Sequence, residues 1–202
     1  MEIFDKAARR WDEKPSRVEN AKLCARAIRE LVPLEKGWKV LEVGAGTGLL
    51  TLFLEPFVSQ IVAVDTSAGM VEVLREKVEA LGLEGKVVPY LGTVNGSFPY
   101  SGFNVAVTHM TLHHVEEPRA FLGELVRRLS PGGWLAVSDL DKEDGTFHSN
   151  NEGVFHFGFS KEEVEELFRS VGVEPVGYKV FNVIRKRGRE YPVFLCVGRL
   201  KG

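Results

Sequence analysis

Three glycines at alternate positions, Gly44, Gly46 and Gly48, are the residues of this chain with the clearest chemical use. They follow an apolar stretch that ends at Val43, and a second apolar stretch begins at Leu49. This spacing predicts a tight turn from a buried strand into a helix. Glycine adopts positive φ angles at little cost, and its missing side chain lets a ligand touch the backbone. The first turn of the helix would also offer unpaired N–H groups to a polar or anionic ligand.

Two acidic residues indicate what that ligand is. Glu42 lies inside the apolar strand, where a carboxylate is costly unless it is paired or belongs to a site. Asp65 ends the next apolar run, 17 residues after Gly48. That is close to the spacing at which an acid contacts ribose hydroxyls in nucleotide-binding βαβ units. Together these residues predict a nucleotide-like cofactor, and the alternative is a glycine turn that only packs closely.

With these residues the chain resembles the class I methyltransferases that use S-adenosylmethionine. Their first motif is similar to residues 40–50 almost residue for residue, and their ribose-binding acid matches Asp65. The resemblance runs from about Phe4 to the C-terminus. It implies that residues 44–48 pass close to the cofactor and that Asp65 binds its ribose. It also implies that Glu42 orients the glycine loop and the amino-acid part of the cofactor.

Further cofactor contacts are expected after the other strands. Met70 would pack on the adenine ring or else in the helix core. Thr93 stands where the family often has an acid for the adenine amino group, so its hydroxyl or the Val94 backbone would substitute. His109 should border the reacting end of the cofactor, because ligands in open α/β sheets bind at the carboxyl ends of strands. The full expected cofactor set is Glu42, Gly44, Ala45, Gly46, Gly48, Asp65, Thr66, Met70, Thr93, Val94, Thr108 and His109.

The adjacent His113 and His114 stand in a Leu-His-His-Val motif that the family often carries after the fourth strand. Being adjacent, their side chains are free to point in different directions. We expect them to hold the loop through hydrogen bonds, and catalysis is the alternative.

Residues 141–159 form a long loop for a compact domain, and such loops are often lids or binding segments. The loop holds carboxylates, four phenylalanines, His148 and His156. It is interpreted as a lid over the acceptor, with a solvated connection as the alternative. His109 and His156 are the candidate catalytic residues, because a histidine can accept a proton near neutral pH. A metal site of His148, His156 and Asp141 is chemically feasible, but its spacing matches no zinc signature, so no metal is expected.

The elements that would position these residues alternate between strand and helix, which predicts a single α/β domain over residues 1–202. The expected strands are 39–43, 61–65, 86–91, 103–108, 134–140, 176–184 and 191–200. No helix separates the last two strands, so one must run antiparallel to the other. The predicted fold is a three-layer αβα sandwich around a seven-stranded, mostly parallel sheet whose last strand is antiparallel. In the family that the chain resembles, leading helices such as those expected within residues 1–35 cover the cofactor and part of the substrate pocket. Phe4 and Trp11 would do so here, or else they pack on the outside of the sheet. The first clear helix is expected at Pro15.

Composition narrows the choice of partners. A chain of 202 residues with a formal net charge of −2 has no overall field that favours nucleic acid or an anionic membrane. It lacks an apolar run of about 18 residues and a signal-peptide pattern, so a cytoplasmic location is the default expectation. Cys24 and Cys196 lack the spacing of a metal or redox motif.

The expected function is transfer of a methyl group from S-adenosylmethionine to a small-molecule acceptor. The alternatives are an RNA or protein methyltransferase and a non-catalytic module that binds the cofactor. No Asn-Pro-Pro-Tyr-like motif follows the fourth strand, and residues 185–189 are the one short basic cluster, so no nucleic-acid partner is expected. A nicotinamide dehydrogenase is opposed by Glu42 and by the terminal strand pair. The sequence leaves open the acceptor, the atom that is methylated and the oligomeric state.

Overall fold

The computed structural model describes residues 2–201, and for residues 2 and 3 the backbone alone. The strands are β1 (Lys39–Val43), β2 (Gln60–Asp65), β3 (Val87–Leu91), β4 (Phe103–His109), β5 (Leu129–Leu140), β6 (Val173–Lys186) and β7 (Arg189–Leu200). The α-helices are α1 (Glu2–Ala7), α2 (Pro15–Leu31), α3 (Leu49–Leu54), α4 (Ala68–Leu81), α5 (Pro118–Val126) and α6 (Lys161–Ser170). Short 3-10 helices occupy Ala8–Glu13, Glu55–Phe57 and Leu112–His114.

The seven strands form one sheet in the order β3-β2-β1-β4-β5-β7-β6. Strands β1 to β5 pair in parallel, whereas β7 pairs antiparallel with both β5 and β6. This topology confirms the predicted sheet. The chain adds strands on one side of β1 and then resumes with β4 on its other side, so Val43 lies beside Thr108 at the carboxyl edge. Ligands of open α/β sheets bind at such a switch point.

Two apolar cores hold helices on opposite faces of the sheet and produce the predicted three layers. On one face, Ile28 of α2, Leu54 of α3 and Leu74 of α4 pack against the sheet. On the other face, Leu122 of α5 and Phe168 of α6 do the same. Successive strand residues point to opposite faces, so the central strands contribute to both cores and read as continuous apolar runs.

Local signals in the sequence explain where the helices begin. The Ser67 hydroxyl accepts a hydrogen bond from the Met70 N–H at the start of α4. Ser160 and Glu163 form a reciprocal capping box at the start of α6. Pro118 occupies the first turn of α5, where its missing N–H costs nothing. Each of these three start signals, Ser67, Pro118 and the Ser160–Glu163 pair, can be recognised in the sequence alone.

Several boundaries differ from the sequence prediction. β5 begins at Leu129 rather than at residue 134, because a register irregularity between Phe103 and Val105 lets Leu129 pair with Phe103. β6 begins at Val173 rather than at residue 176. Before Pro15 the chain already forms α1 and a 3-10 helix. That segment is short and highly charged, and it lacks the apolar period that would have revealed it.

The basic cluster of residues 185–189 spans the turn between β6 and β7. Arg187 and Gly188 have φ angles of 52° and 73°, and the flanking Lys186 and Arg189 are paired. Two successive residues with positive φ are typical of a type I′ hairpin turn, whose twist matches that of the strands.

Candidate functional site

The glycine loop is fastened to the end of β2. The N–H groups of Gly44 and Ala45 both donate to the Val64 carbonyl, at 2.9 and 3.0 Å. Gly44, Gly46 and Gly48 have φ angles of 77°, 56° and 80°. Those angles strain any residue with a side chain, so the sequence of alternating glycines is required by the path of the loop.

The three glycines differ in what surrounds them. A Cβ atom on Gly44 would overlap the side chain of Thr111, and one on Gly48 would overlap Leu74. Those two positions therefore serve close packing within the protein. A Cβ atom on Gly46 would have the Met70 sulfur at 3.9 Å as its nearest neighbour, so this glycine borders open space. Gly46 is the point of the loop at which a ligand can approach the backbone.

Asp65 is half-buried at the end of β2 and binds the same loop. Its Oδ2 atom accepts the Gly46 N–H at 2.8 Å, and its Oδ1 atom accepts the Ser67 N–H at 2.9 Å. Burial raises the pKa of Asp65, and these two hydrogen bonds oppose the rise. A carboxylate offers about four lone pairs, so acceptor capacity is left for ligand hydroxyls.

Glu42 lies behind the loop, with a relative exposure of 2%. Its Oε2 atom accepts a hydrogen bond from the Thr51 hydroxyl at 2.6 Å. Burial raises its pKa to about 8, against the ordinary value of 4.5. Because Thr51 belongs to α3, this bond joins β1 to the helix that follows the glycines. The geometry favours orientation of the loop over direct contact with a ligand.

The remaining predicted cofactor residues lie around the same edge. Met70 is buried beneath the loop, and Thr66 is exposed directly after Asp65. Val94 is buried, whereas Thr93 is exposed and its hydroxyl accepts a hydrogen bond from the Asn95 side chain at 3.0 Å. Thr93 thus presents a hydroxyl where the family often has a carboxylate.

Thr108 and His109 end β4 at the switch point. The Thr108 hydroxyl oxygen is buried and has no hydrogen-bond partner within residues 2–201. His109 Nδ1 lies 2.9 Å from Ser138 Oγ, and its Nε2 lies 3.4 Å from the Asn20 amide nitrogen. Burial lowers the pKa of His109 to about 4, so its ring is neutral. Both ring nitrogens are engaged, and His109 can accept a proton only after Asn20 moves.

The N-terminal segment covers the glycine loop. The Asp12 carboxylate accepts a hydrogen bond from the Thr47 hydroxyl at 2.6 Å and pairs with Lys77 of α4. The Asp5 carboxylate accepts a hydrogen bond from the Ser67 hydroxyl at 2.6 Å. Sequence reasoning placed leading helices here but missed these two anchoring acids, because their partners are far away along the chain.

The loop of residues 141–159 is held against the site. The N–H groups of Phe155 and His156 donate to the His113 carbonyl, at 2.9 and 3.2 Å. Phe147 packs in a small apolar cluster that includes Met110, the residue after β4. His156 lies with its ring 5.2 Å from that of Phe159, and its Nε2 atom is a buried polar atom for which the described structure supplies no partner.

The four phenylalanines of this loop do not all become buried. Phe159 is 5% exposed and Phe147 is half-buried, but Phe155 and Phe157 are 52% and 42% exposed. Only Phe147 and Phe159 of the four are therefore packed mainly within the protein. The other two are apolar surface available to a ligand or partner.

Three histidines, two from the 3-10 helix Leu112–His114 and one from this loop, meet where the two segments pack together, which the sequence did not reveal. His113 is buried, with Nδ1 2.7 Å from Asp139 Oδ1 and Nε2 3.1 Å from His148 Nε2. The ring of His114 lies 4.0 Å from that of His113, and its Nδ1 lies 2.7 Å from the Gly153 carbonyl oxygen. Within residues 2–201, no group of potential metal ligands includes His156 or Asp141. The combination considered from the sequence is therefore not assembled.

Asp139 was missed as a site residue. Burial by itself would raise its pKa, but His113 and the hydrogen bonds to the carboxylate outweigh burial, and the net pKa is lowered. The signal that could have found Asp139 is the one that identified Asp65, an acid at the carboxyl end of a buried strand.

A groove of about 670 Å³ lies between α2 and α3, on the outer helical layer. It is lined by residues such as Arg29 and Phe57, and by none of the predicted site residues. We assign the site to the carboxyl edge of the sheet because the glycine loop, Asp65 and His109 converge there.

Comparison with known proteins agrees with this geometry. Residues 41–137 match the model of the methyltransferase domain family. An uncharacterized methyltransferase of Schizosaccharomyces pombe is 31% identical over 167 residues, which are 74% of this chain and 59% of the relative. The mitochondrial ubiquinone biosynthesis O-methyltransferase of that yeast is 32% identical over 107 residues, 52% of this chain and 39% of the relative. The chain thus spans less than two thirds of either relative.

The fold also agrees with that of a solved methyltransferase structure. The crystal structure of a SAM-dependent methyltransferase from Aquifex aeolicus is 26% identical and has a TM-score of 0.73, covering 97% of this chain and 98% of that one. Residues 41–137 thus form a methyltransferase domain, and the fold over nearly the whole chain is that of the class I methyltransferases, whose cofactor is S-adenosylmethionine. Within residues 2–201, no helix is both long and apolar enough to cross a membrane.

The residues at the carboxyl edge fit that cofactor. Gly46 leaves space against the backbone, and Asp65 keeps acceptor capacity for the ribose hydroxyls. The unpartnered Thr108 hydroxyl offers a polar contact at the switch point. The Asp65 contact and the buried Glu42 carboxyl each give a testable prediction.

The first prediction concerns cofactor binding. Asp65→Ala should weaken binding of S-adenosylhomocysteine by about 1.5–3 kcal/mol, the range for a hydrogen bond to a charged group. Isothermal titration calorimetry measures the affinity. Glu79→Ala, which removes the same charge from an exposed position of α4, is the matched control and should bind normally. Equal affinities of the two variants would remove Asp65 from the site.

The second prediction concerns pH. Glu42 has a raised pKa in the folded chain, so between about pH 4.5 and 8 the unfolded chain binds fewer protons than the folded one. This carboxyl therefore stabilises the fold less as pH rises through that window. Glu42→Gln removes the titration, so the stability of the variant relative to wild type should increase from pH 5 to pH 8. Urea unfolding at both values measures it, with Glu79→Gln as control, and a pH-independent difference would contradict the prediction.

Proposed function

We propose that this protein transfers the methyl group of S-adenosylmethionine to a small-molecule acceptor and releases S-adenosylhomocysteine. The observation that carries the proposal is that segments of the chain cover the carboxyl edge of the sheet on both sides. Asp5 and Asp12 hold the N-terminal segment over the glycine loop and the start of α4. Residues 141–159 are bonded to His113 on the other side. A space bounded in this way suits a compact acceptor better than a folded macromolecule.

The reaction requires mainly that the acceptor and the methyl group be held in the correct relative position. The bound cofactor supplies an electrophilic methyl group on a positively charged sulfur. Gly46 and Asp65 would hold the nucleoside, and Thr108 and His109 would border the reacting end. Holding an acceptor in line with the methyl group can supply much of the rate, because it removes the entropy cost of a bimolecular encounter.

A proton acceptor is needed only where the acceptor loses a proton. His156 is the candidate for that role, because its buried Nε2 has no partner within the described residues. His109 would serve as a neutral polar contact, since Asn20 and Ser138 engage its ring nitrogens. The exposed rings of Phe155 and Phe157 would provide apolar contacts for the acceptor.

The basic hairpin turn is poorly suited to nucleic acid. Arg185 pairs with Glu190, and Arg189 pairs with Asp144. Lys186 donates a hydrogen bond to the Phe147 carbonyl. Most of these cations are thus engaged within the protein, whereas a phosphate-binding surface needs several free and well-spread cations. The name of the second yeast relative, a ubiquinone biosynthesis O-methyltransferase, also supports a small acceptor.

The third prediction separates the possible functions. Protein incubated with methyl-labelled S-adenosylmethionine and a cell extract should place label in the small-molecule fraction, and Asp65→Ala should reduce that label. Label in the RNA or protein fraction would contradict the small-molecule proposal. Tight binding of S-adenosylhomocysteine without any transfer would favour a non-catalytic module.

The fourth prediction concerns His156. If it accepts a proton, His156→Ala should lower kcat by about 100-fold or more while cofactor affinity stays unchanged. Glu152→Ala, at an exposed position of the same loop, is the control. The rates are measured with the acceptor identified in the labelling experiment. Turnover equal to that of the control would assign His156 a packing role.

A further inference from the structure

We propose that His113, His114 and His148 bind a divalent transition-metal ion of the zinc type, which clamps residues 141–159 onto the site. One ring nitrogen from each of the three lies within 4.8 Å of the others. No metal was expected from the sequence, where the spacing of the candidates His148, His156 and Asp141 matched no zinc signature. The three histidines of this cluster are brought together only by the fold. Two of them belong to the 3-10 helix after β4, and the third belongs to the loop after β5.

The spacing of the nitrogens suits a shared ion. His113 Nε2 and His148 Nε2 are 3.1 Å apart. Two imidazole nitrogens that each lie about 2.0–2.1 Å from one zinc ion are roughly 3–3.4 Å apart. A direct N–H···N hydrogen bond has a similar length, so the pair distance alone does not decide between the two. A hydrogen bond between His113 and His148 does not explain why a ring nitrogen of His114 lies in the same group.

In His113 and His114, Nδ1 is hydrogen-bonded on the side of the ring away from the cluster, which leaves Nε2 available to bind a metal. His113 Nδ1 faces the Asp139 carboxylate at 2.7 Å, so Nδ1 carries the proton and Nε2 presents its lone pair. His114 Nδ1 faces the Gly153 carbonyl at 2.7 Å, which assigns its proton in the same way. Without a cation or a bridging proton, Nε2 lone pairs would face one another in a half-buried space.

Asp139 completes the arrangement. A histidine ligand usually donates its second ring N–H to a carboxylate or carbonyl, which fixes the ring and makes it a stronger ligand. Asp139 does this for His113, and the Gly153 carbonyl does it for His114. Asp139 is 0% exposed. A nearby cation would offset the cost of burying its negative charge.

The ligand type indicates the class of ion. Imidazole nitrogens suit zinc and neighbouring transition metals, whereas calcium and magnesium take oxygen ligands. Three protein ligands leave at least one position for water or an oxygen of another molecule. By joining the 3-10 helix Leu112–His114 to His148, the ion would restrain residues 141–159. Metal binding is measured without methyl transfer, so this inference can fail independently of the proposed function.

The test uses the whole chain, freed of any histidine tag and treated with a chelator. Zinc titration by calorimetry and elemental analysis after gel filtration should give one zinc per chain. His114→Ala and His148→Ala should each weaken zinc binding at least tenfold. His156→Ala is the matched control, a histidine of the same loop outside the cluster, and should bind zinc as wild type does. Absence of zinc binding in wild type, or equal binding by all four proteins, would overturn the proposal.

A further variant distinguishes loss of zinc binding from loss of folding, and hydrogen exchange tests whether zinc restrains the loop. Substitution of His113 would leave Asp139 buried and unpaired, so Asp139→Asn is used instead to alter the support of His113. It should weaken zinc binding about 10–100-fold, while circular dichroism shows a folded chain. Zinc should also slow hydrogen exchange in residues 141–159 of wild type but not of His148→Ala. Exchange that zinc leaves unchanged in wild type would refute the clamp.

Discussion

The site depends on how the glycine loop is bonded to the end of β2. Val64 accepts the N–H groups of Gly44 and Ala45, and Asp65 accepts that of Gly46. These bonds fix the path of a glycine-rich loop, and glycine has more backbone freedom to lose than any other residue. The same Asp65 carboxylate orients the start of α4 through Ser67. One acid therefore sets the relative positions of the loop, the second strand and the helix that follows it.

The part of the fold that is local in sequence could be predicted. The alternation of apolar runs identified the strands, and Ser67, Pro118 and Ser160 marked helix starts. The missing helix between the last two strands required an antiparallel pair, and β7 is antiparallel to its neighbours. The glycine loop and Asp65 were also found, because strand, turn and acid follow one another within a short stretch of chain.

The parts that depend on distant residues could not be predicted. His113, Asp139 and His148 come from three separate segments, and only the sheet order and the path of the loop bring them together. Asp5 and Asp12 carry no local signal of their role, because their partners on the glycine loop and at the start of α4 lie far away along the chain. β5 starts early because of an irregularity in the pairing of its neighbour β4. The sequence of residues 129–133 alone does not predict that start.

The N-terminal cover has a consequence for the order of events in turnover. The Asp12–Thr47 and Asp5–Ser67 hydrogen bonds join the segment that covers the glycine loop to the loop itself and to the start of α4. With the nucleoside bound at Gly46 and Asp65 as proposed, it would enter or leave once that segment swings away, and the acceptor would approach from the side of residues 141–159. Departure of the spent nucleoside would then be the slow step, as lid opening is in many enzymes. Such a protein would keep one nucleoside through several encounters with candidate acceptors, and its resting form in a cell would be the loaded one.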